Sequence, residues 1–138
     1  IALLKAGGIE TGMFLMWGYA GEELEDIEAT VRHVQRSQPD IVLTTVAYPI
    51  KGTPFFDEAA ANVVSTRAWA EGSDRDYQIR GRHSRGFYQH ADRLLRNEYA
   101  LSRLNNGNDY DAALRIDLES KIAQAREGLR VSMAEVEA

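Results

Sequence analysis

Gly12-Met-Phe-Leu-Met-Trp-Gly-Tyr-Ala-Gly-Glu22 and Ile41-Val-Leu-Thr-Thr-Val-Ala-Tyr-Pro-Ile-Lys-Gly-Thr-Pro54 decide the fold of this chain. Each is an uninterrupted apolar run that breaks into a turn rich in glycine or proline. Between them, Leu24, Ile27, Val31 and Val34 recur at helical spacing, one apolar stripe on an otherwise polar helix. Strand, helix and strand in that order make a βαβ unit, in which parallel strands are expected to be covered on both faces. The first strand should run from Thr11 to Trp17 and the second from Ile41 to Ala47. A helix opens at Glu22, with Glu22, Glu23, Glu25 and Asp26 placed to complement its dipole. It ends at Gln38-Pro39-Asp40.

Outward from this unit the pattern changes. Residues 1–6 read as the last turns of a helix stopped by Gly7-Gly8. Phe55 to Ala61 reads as a short helix. Val63-Val64 and Tyr77-Gln-Ile79 fit short strands within an irregular stretch, 63–82. From Ser84 a helical pattern returns, in which Phe87, Ala91, Leu94 or Leu95, Glu98 or Tyr99, and Leu101 or Ser102 follow one face only loosely. Asn105-Asn-Gly-Asn108 marks a turn. A last helix, from about Asp109 to Val136, carries the stripe Leu114, Leu118, Ile122, Ala125, Leu129, Met133 and Val136. That near-heptad spacing calls for helix-on-helix packing, with self-association through an intermolecular coiled coil as one form of it. The chain therefore divides into an α/β part, 1–62, and a mainly helical part, 63–138.

Composition sets bounds on function. The chain has 138 residues, 44% hydrophobic and 27% charged, with a formal net charge of −5. This is the profile of a folded domain rather than a disordered chain. The acidic balance argues against bulk nucleic-acid affinity. No apolar run approaches the ~18 residues that span a bilayer. Neither a nucleic acid nor a membrane is expected as a partner. There is no cysteine, which fits a reducing, cytoplasmic location and leaves no thiolate for a metal or cluster. His33, His83 and His90 occur in no recognised metal spacing, so no metal ligand and no catalytic residue is expected here. The first residues show no signal-peptide pattern, and the opening inside a helix reads as a cut from a longer chain.

Two turns could carry ligand chemistry. Gly18 and Gly21 suit either a tight βα turn or a platform on which a ligand approaches the backbone beside a helix start. Ala47 to Pro54 is a rigid, non-helical path. It either turns the chain or offers backbone groups that read a planar ring. Arg75, Arg80, Arg82, Arg85, Arg93, Arg96 and Arg103 read first as a solvated face or intramolecular ion pairs, and second as contacts for phosphate or carboxylate. His83 and His90 read as surface or capping histidines, and Trp17 and Trp69 as packing residues.

Taken together, Gly12 to Glu22, Glu25-Asp-Ile-Glu-Ala-Thr30 and Tyr48 to Pro54 resemble, in order and spacing, the C-terminal half of the radical S-adenosylmethionine barrel. The closest likeness is to the subfamily that often carries a cobalamin-binding domain upstream. Arg80-Gly-Arg-His-Ser-Arg-Gly-Phe-Tyr88 looks like the region that follows the barrel there. The resemblance covers about residues 1–58 most firmly. It implies the fifth and sixth strands of a partial, six-stranded (β/α) barrel. It implies a parent iron–sulfur enzyme that reduces S-adenosylmethionine at a [4Fe–4S] cluster, with cobalamin in an upstream domain of some members. Met16 and Gly18 would then line the adenine from the first strand, and Ala47, Tyr48 and Pro49 from the second. Ala20 departs from the family, which usually has proline there. The family's three cluster cysteines lie in an earlier loop, so this chain is expected to be inert alone. The other reading, from a different class, is a non-catalytic helical module with the last helix as a dimer seam.

Overall fold

The computed structural model describes residues 1–65, 77–107 and 111–135. Trp69, Arg75, Asn108 and Val136, singled out above, lie outside them. The chain opens with helix α1 (Ala2–Ala6), strand β1 (Gly12–Trp17), helix α2 (Leu24–Ser37) and strand β2 (Ile41–Val46). β1 and β2 pair in parallel, from Gly12 opposite Ile41 to Trp17 opposite Val46. The βαβ unit expected from the two quoted stretches is present.

Asp40 fixes the register. Its Oδ2 accepts from both the backbone N–H and the hydroxyl of Thr11, each at 2.8 Å. In return the N–H groups of Asp40 and Ile41 donate to the Thr11 carbonyl at 2.8 and 3.0 Å. Lys5 Nζ lies 3.0 Å from Asp40 Oδ1 and donates to the Gln38 carbonyl at 2.7 Å. One carboxylate thus ties α1 and the beginnings of both strands together, and these bonds hold the Asp40 carboxyl down at about 2, the Thr11 N–H contributing most.

α2 begins later than expected, at Leu24. Glu23 is its N-cap, and Glu23 and Asp26 form a reciprocal capping box, which satisfies two of the otherwise orphaned donors of the first turn. Glu22 is left outside the helix. At the other end Gln38 takes a left-handed conformation, φ 48° and ψ 53°, and Pro39 prevents the helix from continuing.

The sheet is covered on one face only, which corrects the expectation of two covered faces. Met13, Leu15, Val42 and Val46 pack on a core of Trp17, Ile27, Val31 and Val34 with residues of the later helices. The alternate residues Phe14, Met16, Ile41 and Leu43 are exposed, Phe14 by 62% and Leu43 by 57%. Strict alternation along two paired strands places them on one side.

Beyond β2 come helix α3 (Pro54–Ala59), a 3₁₀ turn at Ala60–Asn62, and the short antiparallel strands β3 (Val63–Ser65) and β4 (Tyr77–Ile79). Two long helices complete the chain, α4 (Arg85–Asn106) and α5 (Ala112–Ser132). Ser84 caps α4 by accepting from Phe87 N–H at 3.2 Å, and Asp111 caps α5 by accepting from Leu114 N–H at 2.9 Å. α4 and α5 form an antiparallel hairpin: Ser84 N–H donates to the Glu135 carbonyl at 3.0 Å, joining the start of one to the end of the other.

α4 buries Phe87, Tyr88, Ala91, Leu94 and Leu95. α5 buries Leu118, Ile122, Ala125, Leu129 and Ser132, while Leu114 and Met133 at the ends of the expected stripe are more than 40% exposed. The stripe packs against α4 of the same chain. The core joins residues from both sides of position 62. Arg126 of α5 pairs with Glu28 of α2 and, at 2.7 Å, with Glu98 of α4. Gln35 of α2 donates to the same Glu98 at 2.9 Å. Three helices therefore meet around one carboxylate as well as around the apolar core.

His90 of α4 lies over Gly128 of α5, where a Cβ would overlap the imidazole ring. Glycine at 128, which lowers helix propensity, is what lets the two helices approach at that point.

Candidate functional site

The two turns meet at the C-terminal ends of β1 and β2. Ala47 N–H donates to the Trp17 carbonyl at 2.7 Å, which extends the parallel pairing one step past the strands. Gly18 and Ala47 consequently leave the sheet side by side.

Gly18 is the residue this junction requires. Its φ is +86°, in the region that L side chains rarely occupy. A Cβ there would also lie 3.2 Å from Val46 Cγ1 and 3.4 Å from both Arg82 Nη1 and Tyr88 Cζ. Gly21, φ +77°, has open space around it, so only its backbone conformation calls for glycine. Glu22 folds back over the turn: its Oε2 accepts from Gly18 N–H at 2.7 Å, and its own N–H donates to the Tyr19 carbonyl at 3.1 Å. Burial raises the Glu22 carboxyl above its ordinary value, against the lowering pull of the Gly18 bond. Ala20, where the resembled family has proline, thus sits in a turn closed by Glu22.

The second turn is held by Arg82, whose Nη1 donates to the Ala47 carbonyl at 2.7 Å. Both backbone polar groups of Ala47 are thereby engaged within the chain. Farther along, the Thr53 hydroxyl donates to the Ile50 carbonyl at 2.7 Å and accepts from Phe56 N–H at 3.3 Å. It closes the loop and caps α3, with Pro54 at the first helical position, where its missing N–H has no cost. The rings of Tyr19 and Phe55 are 5.8 Å apart and link the first turn to α3.

The five residues singled out from the sequence fall into two groups. Gly18, Ala47 and Pro49 are buried and form the frame. Met16 is 40% exposed on the uncovered sheet face, and Tyr48 is half-buried. Glu22 and Arg82 are additional framing residues. Glu22 was legible only as a helix opener. Arg82 stands 35 positions from the carbonyl it holds, and nothing local signals that pairing.

His83 stacks on Phe87 with ring centroids 4.1 Å apart, and its Nε2 is 3.8 Å from Glu23 Oε2. Its Nδ1, like Trp17 Nε1 and His90 Nδ1, is buried with no hydrogen-bond partner. Among the described residues no group of three His, Cys, Asp or Glu could hold a metal ion, and no helix is long and apolar enough to cross a membrane. Comparison of the chain with protein-family models, with curated proteins and with solved structures finds no match.

Proposed function

We propose that this chain is part of a radical S-adenosylmethionine enzyme, of the subfamily that often has an upstream cobalamin-binding domain, and that its two strand-end turns contribute to the adenine pocket. The observation that carries this reading is the one-sided parallel pair. Phe14, Met16, Ile41 and Leu43 lie uncovered on one face, α2 and α4 cover the other, and both turns leave from the same end. A (β/α) barrel has this arrangement locally: helices outside, alternate side chains inside, and ligands at the C-terminal ends of the strands. In this reading Met16 and Tyr48 touch the adenine, while Gly18, Ala47 and Pro49 hold the two turns in place, with Glu22 and Arg82 bracing them.

The chain supplies no thiolate, so a [4Fe–4S] cluster can be ligated only by another segment of the protein. A cluster held there would supply the electron that cleaves S-adenosylmethionine. The residues present here bind and orient the nucleoside end. The helical-module alternative draws less support, because Leu118, Ile122, Ala125 and Leu129, its proposed dimer seam, are buried in the hairpin with α4.

The coding frame upstream of Ile1 tests this reading. A loop of three cysteines, spaced by three and then two residues, within the preceding barrel-length stretch is the expected result. A continuous upstream frame of barrel length without that loop would refute it.

A further inference from the structure

A purine ring can be held by its edge, through hydrogen bonds to its ring nitrogens, or by its face, through stacking. The ring nitrogens of adenine are acceptors, so reading its edge calls for free N–H donors. The framing residues of the two turns have none to offer from the backbone. Gly18 N–H donates to Glu22 Oε2 at 2.7 Å, and Ala47 N–H donates to the Trp17 carbonyl at 2.7 Å. Pro49 has no N–H. The Ala47 carbonyl, an acceptor at the same place, is engaged by Arg82 Nη1 at 2.7 Å.

The first turn presents an aromatic face instead. Tyr19, next to Gly18, is 47% exposed. Its hydroxyl lies 4.0 Å from the Met16 sulfur, and Met16 is on the uncovered sheet face near the end of β1. Its ring centroid is 5.8 Å from that of Phe55, with the planes tilted by 54°. Its carbonyl accepts from Glu22 N–H at 3.1 Å. Backbone, ring and hydroxyl of this residue are therefore all in contact with neighbours, while the side chain keeps exposed surface beside the sheet face. A ring already held in place loses little freedom when a ligand stacks on it. The thioether beside it is a favourable neighbour for an aromatic ligand as well.

We propose that the adenine of S-adenosylmethionine stacks on Tyr19, with the Met16 thioether extending the platform, so that these turns hold the ring by its face. The inference rests on the function proposed above and adds the residue and the mode of contact. Hydrogen bonds that tell adenine from another purine are then made by groups other than the backbones of Gly18, Ala47 and Pro49.

The test uses the full-length, cluster-reconstituted protein and calorimetric titration with S-adenosylmethionine. Tyr19→Phe keeps the ring and should bind within about twofold of wild type. Tyr19→Leu keeps apolar bulk against Phe55 but has no face to stack on, and should bind about fivefold more weakly or worse. A second readout leaves the ring in place. In protein carrying 3-fluorotyrosine, the fluorine resonance absent from Tyr19→Phe belongs to Tyr19, and it should shift saturably as S-adenosylmethionine is added. Wild type that binds S-adenosylmethionine without moving that resonance overturns the stacking role and leaves the proposed function standing. So does Tyr19→Leu protein, folded by circular dichroism, that binds as tightly as wild type. Tyr19→Phe weakened as much as Tyr19→Leu overturns it too, because the hydroxyl and not the ring face would carry the contact. Wild type that fails to bind S-adenosylmethionine overturns both.

Discussion

Replacing Gly18 by alanine separates two costs that usually arrive together. At φ +86° an L side chain costs about 1–2 kcal/mol of backbone strain. Against this, losing glycine removes conformational freedom from the unfolded chain and returns about 0.4–1 kcal/mol. Gly21, at φ +77°, faces the same two effects and has nothing within 4 Å of a new Cβ. Gly21→Ala should therefore destabilise the fold by roughly 0.5–1 kcal/mol. Gly18→Ala also pushes a methyl group to 3.2 Å from Val46 Cγ1 and 3.4 Å from Arg82 and Tyr88. Overpacking of this kind adds about 1–2 kcal/mol, for a total of about 1.5–3 kcal/mol. The difference between the variants, about 1–2 kcal/mol, is close to tenfold in the unfolding equilibrium. Urea titrations with matched slopes read it directly. In an Arg82→Ala background the gap should narrow, because one of the three crowding groups is gone. If Gly18→Ala costs no more than Gly21→Ala, the close approach of the two turns is not what the strand ends require.

Other positions carry equally definite expectations. Gly128→Ala gains up to about 1 kcal/mol of helix propensity but displaces the His90 ring, so alone it should be neutral to destabilising by about 2 kcal/mol. With His90→Ala the clash disappears, and a double-mutant cycle should return a coupling of at least about 1 kcal/mol; a coupling near zero would contradict the crossing described. Asp40, held at about 2 against an ordinary 3.8, binds its proton less readily when folded. The stability it provides is complete above the ordinary value and is lost as pH falls toward about 2. Asp40→Asn should flatten that part of the acid-denaturation profile, and an unchanged profile would count against the Thr11 and Lys5 bonds. Glu22 has the opposite sign: its carboxyl is raised by burial, so folding favours its protonated form and stability falls as pH rises through its folded value. Glu22→Gln, whose amide oxygen can still accept from Gly18, should gain on the wild type between pH 4 and pH 7 in paired urea titrations.

The βαβ unit was legible because its signals are local. A β-branched run at Ile41–Val46, acids at the helix start and Pro39 after the helix each act within a few residues. The start of α2 was misplaced by two residues because Glu22 and Glu23 are chemically equivalent openers; only the reciprocal bonds of Glu23 and Asp26 distinguish them. The uncovered face was not legible. Phe14 and Leu43 are as apolar as Leu15 and Val42, and periodicity cannot say which layer a chain supplies. The stripe on α5 announced a helical partner without saying that α4 is that partner. At the candidate site Gly18 could be read from its turn, whereas Arg82 on Ala47 and His90 over Gly128 join residues 35 and 38 positions apart. Such pairs exist only once the core has brought their elements together.

The account's central claim is that the turns after β1 and β2 hold the adenine of S-adenosylmethionine. Calorimetric titration of the full-length, cluster-reconstituted protein tests it most directly. Wild type should bind S-adenosylmethionine saturably. Pro49→Gly, folded by circular dichroism, should bind it several-fold more weakly, about 1 kcal/mol, because the freed turn must be ordered on binding. Ile122→Val, in the distant α4–α5 hairpin, should leave the dissociation constant unchanged. Wild-type protein that fails to bind S-adenosylmethionine, or Pro49→Gly protein that binds it as tightly as wild type, would contradict the claim.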